Sequence, residues 1–97
     1  MKFSEEQVKQ QLKELIEWHI TPGGEIQKTY LLKNFLESIN FINRLAKYAE
    51  EVQHHPDLFI SWNKVKVTLI THDCDGLSEK DFEFAKKADQ IFGEKNE

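Results

Sequence analysis

The 97-residue sequence predicts an α+β fold, a four-stranded antiparallel sheet with three helices packed on one face, in the order α-β-β-α-β-β-α. Three observations carry that expectation. Capping boxes at Ser4 with Gln7 and at Ser78 with Asp81 each open an amphipathic segment. The stretch from Asn34 to Val52 repeats its apolar residues at helical spacing. Two pairs of short β-like runs, each pair joined by turn residues, lie on either side of it. Helix, hairpin, helix, hairpin, helix leaves the second sheet face for solvent, a ligand or a partner.

The first helix starts at Ser4, with Phe3 and Val8 placed as a hydrophobic staple. Val8, Leu12, Leu15 and Ile16 form its inward face. Glu17-Trp18-His19-Ile20 and the run from Glu25 to Leu32 read as a hairpin around Thr21-Pro22-Gly23-Gly24. Ile26, Tyr30 and Leu32 share one face of its second strand, a face that Lys28 interrupts. The helix over 34–52 carries two apolar stripes. One is Phe35, Ile39, Ile42, Ala46 and Ala49; beside it runs Phe41, Leu45, Tyr48 and Val52. A chain this small would leave one stripe wet, and the 4-3-4 spacing of the second suits helix-on-helix packing. That second stripe is therefore expected to form a homodimer or homotetramer interface, together with sheet edges; the alternative is a wider core face.

Asp57-Leu58-Phe59-Ile60 reads as a third strand, Ser61-Trp62-Asn63 as a turn, and Val65 to His72 as a fourth strand. Alternation puts Val65, Val67, Leu69 and Thr71 on one side and Lys66, Thr68, Ile70 and His72 on the other. After the loop Asp73-Cys74-Asp75-Gly76, Leu77 and Phe82 staple the last helix, whose face is Ala85, Ala88, Ile91 and Phe92.

Thirteen Lys and Arg against 17 Asp and Glu give a net charge of -4, which argues against binding nucleic acid or anionic lipid through the overall field. An apolar content of 39% is too high for a disordered chain. The longest apolar runs are a few residues and do not span a bilayer. One cysteine makes no internal disulfide, and the polar N-terminus lacks the apolar run of a signal peptide, so a cytoplasmic protein is expected. Residues 1–97 show neither repeats nor a linker and are expected to form a single domain.

Three of the four histidines fall in two polar corners, His54-His55 after the long helix and His72 at the end of the last strand. Both corners join a rigid element to a loop, a common mounting for catalytic groups. Imidazole suits acid and base work near neutral pH; solvated surface residues are the plainer reading of the same three. His54, His55, His72, Asp73, Cys74 and Asp75 are also metal-ligand types. Adjacent His54 and His55 do not readily chelate one ion, however, and C-x-x-C, H-E-x-x-H and a full calcium loop are missing, so no metal is expected. Cys74, between two carboxylates, is expected to be a bystander. No glycine-rich phosphate loop is present. Asp81 is explained by its capping box, and any chemical role is additional. Trp18, Trp62 and Phe59 offer stacking faces for a flat ring, although packing is the commoner use of such aromatics.

The runs His54-His55-Pro56-Asp57, Trp62 to Leu69, Thr71-His72-Asp73 and Gly76 to Phe82 resemble pterin-4a-carbinolamine dehydratases, also called 4a-hydroxytetrahydrobiopterin dehydratases. The resemblance extends back through Ala49-Glu50-Glu51 to Phe41, Phe35, Tyr30 and Trp18. His-His-Pro followed by Thr-His at this separation is its specific part. The family fold agrees with the element order read from the residues.

The resemblance implies a cofactor-free dehydration in tetrahydrobiopterin recycling: the 4a-hydroxyl of a hydroxytetrahydropterin leaves as water, the N5 proton is lost, and a quinonoid dihydropterin forms. Hydroxide is a poor leaving group, so the reaction needs a proton donor as well as an acceptor, each worth about 10²- to 10⁴-fold. By matching positions, the resemblance implies His54 and His72 as the acid/base pair and His55 as a pterin-orienting residue, all three in the catalytic group. Asp81 would hold a histidine in its working tautomer, and Gln53, Pro56, Thr71 and Asp73 would add substrate contacts. Gln53 stands where the family often has Asp, Asn or Lys, and Leu58 where many members have Trp, so the pocket rim is expected to differ. A non-catalytic pterin-binding, dimerisation or coactivator module is the alternative.

Overall fold

The computed structural model describes residues 1–94. Its elements are α1 (Glu5–Leu12), β1 (His19–Ile20), β2 (Ile26–Leu31), α2 (Phe35–Val52), β3 (Asp57–Ser61), β4 (Lys64–Leu69) and α3 (Glu79–Gly93), with a 3₁₀ turn over His72–Cys74. This is the α-β-β-α-β-β-α order expected from the sequence. The sheet runs β1-β2-β4-β3 with every neighbouring pair antiparallel. The connection through α2 therefore carries the chain to the edge strand β3, and β4 returns between β3 and β2.

Both capping boxes form. Ser4 Oγ accepts from the Gln7 N–H, and the Gln7 side chain accepts from the Ser4 N–H. Ser78 opens α3 in the same reciprocal way with Asp81. Phe3 stacks on Phe82 at 5.7 Å between ring centroids, and its N–H reaches the Leu77 carbonyl. The N-terminal segment is thereby fastened to the start of α3. Ile26 and Tyr30 of β2 and Val65, Val67 and Leu69 of β4 turn inward onto Phe41, Leu45, Phe82, Phe84, Ala85 and Ala88 of the helices, as strand alternation requires.

Four expectations need correction. First, α1 ends at Leu12; Leu15 stays buried but Ile16 is 78% exposed. Second, β1 shrinks to two residues, because Glu17 adopts a left-handed φ of 68° and Trp18 turns inward. Third, β4 stops at Leu69; Thr71 makes only an isolated bridge to Gly76, and His72 lies in the 3₁₀ turn beyond. Fourth, the second stripe of α2 turns into the core over Phe41 and Leu45, which is the wider-core alternative, while its last residue Val52 is exposed. Phe41 and Leu45, expected at an interface, are 0% exposed in the core. In the first stripe Phe35 is 51% exposed and Ala46 is exposed, Ile39 and Ile42 are half-buried, and Ala49 is buried. Helical periodicity fixes the angle between two stripes and leaves open which of them points inward.

Lys28 does interrupt the inward face of β2, and its ammonium is matched there. Asp89 on α3 accepts from Lys28 Nζ at 2.9 Å, from Tyr30 Oη at 2.5 Å and from Trp18 Nε1 at 3.2 Å. Burial, reinforced by the Asp89 carboxylate, holds the Tyr30 phenol far above its ordinary ionisation range. This cluster ties β2 to α3 and explains why Trp18 leaves the strand. No helix among the described residues is long and apolar enough to cross a membrane.

Candidate active site

Helix α2 ends in a reversal that places His54. Gln53 takes a left-handed φ of 54°, and the His54 N–H returns to the Ala49 carbonyl at 3.2 Å, the six-residue closure of a Schellman motif. The chain turns under the helix, and the His54 ring packs edge-on to Phe84. There its Nε2 meets Asp81 Oδ1 at 2.7 Å, with Asp81 itself 0% exposed.

Asp81 is held from the other side as well. Its Oδ2 accepts from Thr71 Oγ1 at 2.7 Å and from the Ser78 backbone N–H at 2.9 Å. Thr71 and Ser78 hydroxyls lie 2.8 Å apart. The capping box thus uses one carboxylate oxygen, and the histidine uses the other. A buried carboxylate needs such donors, because an unpaired one costs several kcal/mol.

The register Asp57↔Thr68 brings the start of β3 beside the end of β4, so His54-His55-Pro56 and Thr71-His72-Asp73 emerge at one end of the sheet. Of the residues expected at the site, His54, Thr71 and Asp81 come together in one hydrogen-bonded group. The His55 ring is exposed and pairs with Glu50 through Nε2 at 2.6 Å. Gln53 is exposed and donates to the Glu50 carbonyl, Pro56 is half-buried, and His72 and Asp73 stand exposed directly after Thr71. Among the described residues, no three His, Cys, Asp or Glu side chains converge as a set of metal ligands.

The sequence reading missed two neighbours of the site. Glu50 lies a little over one turn before His55, a spacing that could have suggested the contact across the helix end. Phe84 lies outside the face assigned to α3 and carried no separate signal. The aromatics divide by position. Trp18 spends its N–H on Asp89. Phe59 is exposed with Lys66 Nζ 5.4 Å from its ring centre. Trp62 sits at the opposite end of the β3–β4 hairpin, roughly 13 Å of strand from Asp57, so it does not stack on a ring held by His54 of its own chain. A cavity of about 670 Å³ between α1 and the β1–β2 turn is floored by Phe3, Val8, Leu12, Ile20, Ile70 and Leu77 and contains none of the histidines. His54 is nearly buried and His55 and His72 are exposed, all three outside that cavity.

The fold and the site define a small α+β protein whose four-stranded antiparallel sheet and helices enclose an imidazole–carboxylate pair between the end of α2 and the start of α3. The comparisons narrow this class. The family model of pterin 4 alpha carbinolamine dehydratase matches residues 1–91, and the chain belongs to that family. A Nostoc protein is 46% identical over 89 residues, covering 92% of this chain and 95% of its own. A Sulfurisphaera tokodaii protein is 39% identical over 90 residues, covering 93% and 96%. Both carry the name pterin-4-alpha-carbinolamine dehydratase provisionally. A Brucella melitensis crystal structure described as a transcriptional coactivator/pterin dehydratase superposes with a TM-score of 0.90 at 33% identity, covering 94% of this chain and 98% of the other. A pterin dehydratase-like RuBisCO assembly factor of the alpha-carboxysome shares the fold alone, with a TM-score of 0.69 at 22% identity, over 79% of this chain and 90% of its own.

Proposed function

We propose that this chain dehydrates 4a-hydroxytetrahydropterin to quinonoid dihydropterin and water, in tetrahydrobiopterin recycling. The observation that supports this best is the His54–Asp81 pair, a histidine fixed by a fully buried carboxylate within a family of pterin dehydratases. In the reaction the C4a–O bond breaks with its electron pair leaving on oxygen, and a protonated imidazole supplies the proton that turns the departing hydroxide into water. The N5–H bonding pair becomes the C4a=N5 bond while a neutral imidazole takes the proton. His54 and His72 perform these two transfers. His55, braced by Glu50, orients the pterin, and Gln53, Pro56 and Asp73 supply further contacts.

The exposed Phe35 and Leu36 at the start of α2 favour a second, compatible reading, in which the helix pairs with another copy in a homodimer or homotetramer. A cytoplasmic location suits the free thiol of Cys74. A non-catalytic binding or coactivator module is the competing function. Stopped-flow decay of 4a-hydroxytetrahydropterin separates the two: catalysis accelerates decay at substoichiometric protein. A rate unchanged by the protein, with pterin bound, establishes the binding module instead.

A further inference from the structure

We infer that Thr71, with Ser78 behind it, is a positioning residue that fixes the protons around Asp81 so that Nδ1 of His54, and not Nε2, is the atom that exchanges a proton with substrate. The kinetic part rests on the dehydratase reading; the proton placement stands without it.

The Ser78 hydroxyl oxygen accepts from the Lys80 N–H, which leaves its own proton free to point at Thr71 Oγ1, 2.8 Å away. Thr71 then donates its proton to Asp81 Oδ2, where the Ser78 N–H also points. Oδ2 is doubly occupied by donors. The remaining short contact, Oδ1 to His54 Nε2 at 2.7 Å, needs one proton between two atoms, and with the carboxylate ionised that proton is on Nε2. In the neutral ring Nδ1 is then the atom with the lone pair.

Among the described residues Nδ1 has no hydrogen-bond partner. Yet no side-chain nitrogen or oxygen of the described, non-exposed residues is both buried and unpartnered. Nδ1 therefore opens to solvent, and it is the one polar atom of a nearly buried ring that a ligand can reach. As a base it accepts the pterin proton and gives an imidazolium protonated on both nitrogens; as an acid the same Nδ1–H returns it. Nε2–H stays on Asp81 throughout. Thr71 was expected to touch the substrate, but it is buried and its hydroxyl is committed to Asp81 and Ser78. It acts through the carboxylate: without its proton Oδ2 loses a donor and the carboxylate is free to rotate away from Nε2.

The test combines NMR of protein carrying ¹⁵N-labelled histidine with steady-state kinetics on Thr71→Val and Thr71→Ser. In the wild type the His54 Nε2–H is expected to be present and protected from exchange, with Nδ1 unprotonated in the neutral ring. Thr71→Val should speed exchange of that proton and lower kcat on the order of tenfold with little change in KM, and Thr71→Ser, which keeps the hydroxyl, should restore both. A wild-type proton on Nδ1, a Thr71→Val effect confined to KM, or loss of both readouts in folded Thr71→Ser overturns the inference. If Thr71→Val does not fold, the wild-type tautomer and Thr71→Ser still decide it. Should the wild type lack dehydratase activity while its Nε2–H is protected and lost in Thr71→Val, the dehydratase reading falls and the proton placement is upheld.

Discussion

Replacing Asp81 by Asn preserves the side chain's shape while removing its charge, and the three contacts at the carboxylate fix what must follow. An amide has one oxygen and one NH₂. If the oxygen faces Thr71 and Ser78, those bonds survive, and the NH₂ meets His54 Nε2, which must give up its proton and accept. The imidazole then carries its proton on Nδ1, the solvent-facing atom, and is in the wrong state to act there as a base. If the amide turns the other way, Nε2–H keeps its acceptor and the Ser78 backbone N–H faces an NH₂, a buried donor without a partner. The first arrangement costs catalysis, the second about 1–3 kcal/mol of stability. For a domain of this size that range is a fall in Tm of roughly 4 to 24 °C. Asp81→Asn is therefore expected to lower kcat by about 10²-fold or more, the worth of one acid/base group, or to lose stability within that range, or both in part. Urea titration followed by circular dichroism, together with turnover, measures the two losses on the same sample. An Asp81→Asn protein with wild-type stability and wild-type turnover would refute the shared-carboxylate account.

Three further predictions concern other parts of the molecule. Leu45→Glu should unfold the protein by placing an unpaired carboxylate in the core, whereas Phe35→Glu should leave the fold intact and lower the native mass; light scattering with circular dichroism distinguishes them, and a folded Leu45→Glu protein sinks the core assignment. Because the Tyr30 phenol is raised above its ordinary value, the stability it contributes is fully present below pH 10 and is lost above it at about 1.4 kcal/mol per pH unit. Urea midpoints between pH 9 and 11 should fall more steeply for wild type than for Tyr30→Phe, and parallel slopes would contradict this. Finally, His54→Ala and His72→Ala should chiefly reduce kcat and His55→Ala chiefly raise KM, with the His54/His72 double variant worse than either single one; near-normal turnover in the folded double variant removes the pair from the mechanism.

What the sequence made legible was set by local rules. Ser4 with Gln7 and Ser78 with Asp81 announce two helix starts because a capping box is complete within four residues, and both form. The element order follows from the same kind of short-range pattern. The errors occur where a distant partner decides. Trp18 reads as a strand residue until Asp89, 71 positions away, supplies an acceptor for its indole N–H. Phe41 and Phe35 are alike in sequence terms, and only the packing of the sheet and α3 against one side of α2 tells core from surface. At the candidate site, the resemblance gathered the three histidines as one set. The structure places His54 at the buried carboxylate, and leaves His55 and His72 exposed.

The double use of Asp81 has a consequence for how such a site is built. A capping aspartate at the start of α3 presents one oxygen to the backbone of its own helix, and the second oxygen is geometrically free. The Schellman reversal at the end of α2 delivers a histidine to that oxygen, and the strand leaving β4 delivers a threonine to its neighbour. Three segments therefore meet on a group that one of them needs for its own stability. The fold and the candidate chemistry share a residue, so the histidine is held without a dedicated support. The same sharing leaves Asp81 little freedom: Glu at this position would keep the charge but lengthen the side chain, and it could not satisfy the Ser78 N–H and His54 Nε2 from the same backbone position without moving one of them.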